Sequence, residues 1–228
     1  IATVTLQENE EFGNNRKIIC EDDNVTSMTL DGNGRFIKFA RGVTSQISVA
    51  ANTTLTLQDI VLKEFSPTIV TLGSGATLQF GDACRIELAE NTTIDAASEI
   101  LKFTTGTSTI IGNGNNLAFG IANAIQVSAS TTLQLQDIRV TGLIEAQNFK
   151  MSATTAKLEL HDTELVLDGH YTFSAGAVDV YGDTAISGQD NGFEWTSEGS
   201  LTIKSDATLT MDRGTTLVYN APPTGGGD

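Results

Sequence analysis

Two octapeptides, TTLTLQDI at 53–60 and TTLQLQDI at 131–138, are identical at seven of eight positions. A Gly-Asn-Gly lies upstream of each, at 32–34 and 112–114, followed by an apolar pair, Ile37/Phe39 or Leu117/Phe119. The octapeptides are offset by two positions fewer than the glycine blocks, a difference that a two-residue deletion in an intervening loop explains. A weaker third copy follows at a slightly shorter offset, with Gly188, Phe193/Trp195, Leu201/Ile203 and ATLTMDRG at 207–214. Constant order at nearly constant offset predicts internal duplication, with copies near 29–65, 109–143 and 186–219. A chain built this way folds as a stack of like units, each burying its apolar side against the next.

A finer period runs inside each copy. Apolar-x-apolar pairs return about every eight residues, as in Leu117/Phe119, Ile125/Val127 and Leu133/Leu135. Thr, Ser, Asn, Asp and Gly flank them, so each unit reads as a short strand closed by turn chemistry. No long window carries a 3.6-residue stripe. The nearest, LIEAQNFKM at 143–151, reads as a loop or a single helical turn. The class is all-β. Antiparallel hairpins would need an Asn-Gly or Asp-Gly turn between most runs, and only a few such dipeptides occur. A β-solenoid fits better, with three short strands per coil and about 20–25 residues per coil. Thr, the commonest residue, suits outward positions, while Gly and Asn suit corners that need positive φ. Inward positions should include Leu55, Leu57, Leu78, Phe80, Leu117, Phe119, Leu133, Leu135, Leu209 and Met211. The expected organisation is one solenoid domain over 1–221 and a Pro/Gly-rich tail over 222–228.

Composition narrows the partners. Acidic residues outnumber basic ones, 28 to 13, for a formal charge of −15. Only Arg16 and Lys17 are adjacent basic residues, so nucleic acid and anionic membrane surfaces are poor partners. No stretch approaches 18 uncharged apolar residues, so no membrane span is expected. The opening IATVTLQENE lacks the features of a signal peptide, which fits a leader that is removed or one that was never there. Cys20 and Cys84 are too few for a disulfide scaffold; two buried thiols, or one bridge between neighbouring turns, both fit. Sequons begin at Asn24, Asn52 and Asn91, and they matter only where the host glycosylates.

The repeated Gly-Asn-Gly and TTLxLQDI elements, at 32–39/112–119 and 53–60/131–138, resemble those of right-handed parallel β-helix proteins, the pectin-lyase-like group. That group includes bacterial surface and autotransporter-passenger modules. The resemblance covers roughly residues 25–220 and implies a right-handed parallel β-helix in an extracellular or cell-surface setting. It also brings in polysaccharide lyases and hydrolases as an enzymatic reading.

The residues themselves favour other roles. Asp59 and Asp137 occupy equivalent repeat positions, and Asp82 and Asp162 follow apolar pairs, so these carboxylates are expected to brace corners by accepting from backbone amides. His161 and His170 are nine residues apart and are read as exposed loop residues. Trp195 aligns with Phe39 and Phe119 as core, which leaves Tyr171 and Tyr181 as the aromatics available to a glycan. Gly-Asn-Gly lacks the Lys-Ser or Lys-Thr of a phosphate loop and reads as a turn. The acidic run Glu21-Asp22-Asp23 reads as a solvated corner ahead of a calcium site. No catalytic, cofactor or metal site is expected. The function expected is that of a non-enzymatic extracellular subunit of a filament, sheath or surface layer. The alternative is a surface adhesin that binds a cell-surface glycan, with a polysaccharide lyase or hydrolase third. Assembly would be head-to-tail between copies through Ala2, Val4 and Leu6 at one end and Leu217 and Tyr219 at the other, with Pro222 and Pro223 beyond the last strand.

Overall fold

The computed structural model describes residues 2–21, 25–43, 46–96, 100–144, 148–188 and 190–220. Short strands follow one another in chain order, and every pairing is parallel. The chain is a parallel β-solenoid of about nine turns. Each coil contributes three straight segments in fixed order to a first, a second and a third face. The inward column of the second face runs Ile37, Leu62, Ile86, Ile110, Leu135, Leu160, Val180, Ile203, each in register with the next. Coil length varies along the rod: the step from Leu160 to Val180 is short, and the step from Leu30 to Leu57 is long.

The period-two pattern explains the core. In strand Thr132–Leu143, Leu133 and Leu135 are fully buried while Gln134 and Gln136 look outward. Of the ten inward positions expected, eight are buried; Leu209 and Met211 are partly buried against the same core. Phenylalanines continue it between coils, with Phe12, Phe39, Phe65, Phe80 and Phe103 in successive ring contact.

Several strands are longer than a face. Thr54–Phe65 and Thr132–Leu143 each have 12 residues, because the ladder continues through a corner made by one residue of positive φ, Asp59 at 45° or Asp137 at 47°. Segment 143–151 also departs from expectation: Phe149–Met151 is a strand whose Phe149 and Met151 face inward. Its apolar-x-apolar pattern decides this, and residues 145–147 lie outside the described residues.

The duplication takes an unexpected form. Leu57 stacks on Phe80, in the first face, whereas Leu135 stacks between Ile110 and Leu160, in the second. Likewise Ile37 belongs to the second face and Leu117, in register with Val140, to the third. The offset between the first two copies is therefore three coils plus one face, and the two-residue difference lies in one loop, Phe39 to Ile47 against Phe119 to Ile125. The transferable unit is a face with its corner.

Candidate functional site

The repeated carboxylates sit at corners. Asp82 Oδ1 accepts from the N–H groups of Ala83 at 2.9 Å and of Thr107, one coil on, at 2.8 Å. Asp162 Oδ1 accepts from Asp183 N–H at 2.9 Å, and Asn91 Oδ1 from Asn116 N–H at 2.9 Å. Asp59 and Asp137 supply the positive φ of their corners. Both Gly-Asn-Gly blocks are corners, with Asn33, Gly34, Asn113 and Gly114 all at positive φ; the second is a turn, and the first shifts the register within strand Ser27–Lys38 between Asp31 and Arg35. Asp22, Asp23 and Asn24 lie outside the described residues.

The histidines do not converge. His170 is exposed at a corner, with Nε2 3.2 Å from Glu194 Oε2. His161 corrects the loop expectation: it is on strand Lys157–Leu167, in register with Tyr181, and the two rings stack at 4.4 Å and 3°. Tyr171 is a second correction. It is 3% exposed, its hydroxyl donates to Phe149 O at 3.3 Å, and burial pushes that hydroxyl well above its ordinary pKa. Its place in an apolar-x-apolar pair with Phe173 was the signal for core. Trp195 is buried against Phe173.

Cys20 and Cys84 are free, buried thiols in the first and fourth coils. No bridge joins them, since they stand three coils apart where a bridge needs adjacent ones. Burial, against weaker backbone hydrogen bonds, pushes the Cys84 thiol up to about 12; Sγ lies 3.0 Å from Leu57 O.

Sequence reading passed over two constellations. On the second face, Lys157, Asp179 and Lys204 come from three successive coils; both ammonium groups reach Asp179 Oδ2, at 2.8 and 2.9 Å. Their separations, one coil each, become visible only once coil length is known. At the first coil, Glu10 is in register with the buried Ile37, so its side chain occupies an inward position, where Arg16 ion-pairs with it. The signal was available, because Ala2, Val4, Leu6, Glu10 and Phe12 share one parity.

The ends are thus unlike. Val4 is in register with buried Leu30 yet half exposed, beside the Glu10–Arg16 pair. At the other end Leu217 and Tyr219 are in register with buried Phe193 and Trp195, and are 46% and 73% exposed. Ile203, in register with buried Val180, is exposed too. Pro222 and Pro223 lie outside the described residues.

Among the described residues no three His, Cys, Asp or Glu gather as metal ligands, and no helix is long and apolar enough to cross a membrane. Comparison with protein-family models, with curated proteins and with solved structures finds no match.

Proposed function

We propose that this protein is a non-enzymatic structural subunit of a fibre, sheath or surface layer, working outside the cell, with its ends as joining surfaces. One observation carries this reading: the inward apolar register continues into the last described coil, where Leu201, Ile203, Leu209, Met211, Leu217 and Tyr219 are only partly covered by the described residues. An exposed strand edge over an apolar core is a template for a further strand. Kinship with pectin-lyase-like surface and autotransporter-passenger proteins would suit this setting. The corner carboxylates support a structural role, since backbone amides already engage Asp82 and Asp162.

Sedimentation of the full chain tests the reading. Assembly at physiological salt is expected, and Ile203→Glu should abolish it without altering the fold. A chain that stays monomeric at high concentration defeats it.

The adhesin reading has one observation in its favour. Lys38, Lys63, Arg85, Lys157 and Lys204, five of 13 basic residues in a chain of charge −15, belong to the second face or its edge. Glu87, Glu159 and Asp179 on the same face pair with Arg85, Lys157 and Lys204, so Lys38 and Lys63 are the part of that face that suits an anionic glycan.

A further inference from the structure

The open side of the first coil carries one inward ion pair, Glu10–Arg16, braced by Gln46 of the second coil. Gln46 is fully buried; its Nε2 donates to Gly13 O at 3.3 Å and Arg16 O at 3.4 Å, and its Oε1 accepts from Ala40 N–H at 3.1 Å. That side chain fixes the turn that holds Arg16 over Glu10. Head-to-tail stacking would lay Glu10 against Ile203, because Glu10–Glu11 and Leu201–Ile203 are the terminal strands of the same face. Inward charge at a strand edge is a device against continued pairing. The last coil carries no inward charge: its inward residues are Leu201, Ile203, Leu209, Met211, Leu217 and Tyr219.

We infer that the last coil docks on the last coil of a second copy, about a two-fold axis through strand Thr208–Met211. The inference rests on the reading of the ends as joining surfaces. Three features make the surface self-complementary. The chain climbs steadily from Leu201–Ile203 through Thr208–Met211 to Thr216–Tyr219, so a two-fold axis through the middle strand meets the lowest strand with the highest at even spacing. The two-fold reverses the path of the chain, so all three pairings are antiparallel. The corners on either side of the middle strand, 204–207 and 212–215, are equal in length. With Thr210 on the axis, Leu209 therefore faces Met211, Ile203 faces Leu217 and Leu201 faces Tyr219, all inward residues. The same operation sets Asp206 opposite Gly214, the two positive-φ corner residues, and brings exposed Asp206 beside exposed Arg213 twice. An isologous contact of this kind closes at two copies, so the unit that a fibre, sheath or layer repeats is the dimer, joined to further dimers through surfaces other than this one.

The test is Thr210→Cys in the full chain, oxidised mildly and run without reductant. Thr210 is exposed, and the native thiols are buried, so background cross-linking is low. A two-fold contact puts the two introduced sulfurs within bridging reach. Most of the chain should shift to a covalent dimer and nothing larger, and adding Ile19→Cys should leave that product unchanged. Head-to-tail stacking places Thr210 beside Ile19 instead. A ladder of covalent polymers from the double variant, with no dimer from Thr210→Cys alone, would overturn the two-fold while leaving the structural role standing. A monomer by sedimentation, without cross-linking, overturns both.

Discussion

At the scale of single residues, Asp179 ties stability to charge through two lysines. It is 3% exposed on an outward face, a place that a lone carboxylate would not hold. Burial alone would raise its pKa, but hydrogen bonds from Lys157 and Lys204, with their charges, outweigh that and hold it below the ordinary aspartate value. The same bond to Asp179 raises Lys157. Because the folded-state pKa of Asp179 lies below the unfolded one, its contribution is complete above the unfolded value, about 3.9, and is lost as pH falls through the folded value. Asp179→Asn should cost about 1.5–3 kcal/mol at neutral pH, the range for hydrogen bonds to a charged group. Denaturant midpoints of the two chains should converge below about pH 4. A gap unchanged down to pH 3 would show that the charge is not what stabilises.

The element that defines this chain is the eight-residue face with its corner. Corner glycines separate backbone strain from contact. Gly34 and Gly106 both have positive φ, 72° and 64°, but a Cβ on Gly34 meets open space whereas one on Gly106 would lie 1.9 Å from Asp82 Oδ1. Gly34→Ala should cost about 1 kcal/mol, the left-handed penalty alone. Gly106→Ala should cost about 3 kcal/mol, since Asp82 must also release Thr107 N–H. Equal melting temperatures for the two variants would contradict this account. The octapeptide's paired threonines have a matching explanation. Thr53 and Thr131 are buried at corners with Oγ1 donating two residues back, to Ala51 O and Ala129 O, and the second threonine begins the outward row. Strand pattern and corner chemistry were legible in the sequence because both are local. Which face a segment joins was not, because TTLxLQDI fits the corner after the first face and the corner after the second equally well. Only the summed lengths of preceding coils decide, and those depend on loops that leave no periodic mark.

For the whole molecule, a solenoid's stability is approximately a sum over neighbouring coils, so one poorly filled coil is a local weakness. The inward pairs on the second face run Leu133/Leu135, Leu158/Leu160, Val178/Val180 and Leu201/Ile203. The valine pair belongs to the short coil step from Leu160 to Val180. The pair has two methylenes fewer than that of the preceding coil and borders a cavity of about 20 Å³, together with Leu160, Tyr171, Leu201 and Leu209. Its walls are apolar, so water gains few partners there and the lining side chains forgo dispersion contacts. Val180→Ile adds one methylene at a fully buried site and keeps the β-branch that a strand favours. Filling should stabilise by about 0.8 kcal/mol, a rise in melting temperature of about 2–3 °C for a chain of this size. Val127 supplies the contrast, being fully buried on the first face without bordering that cavity. Val127→Ile should overpack and cost about 1–3 kcal/mol. Thermal melts of the two single variants decide the matter: opposite signs locate the weakness in the coil of Val178 and Val180, and a shared sign shows that the core is evenly packed along the rod.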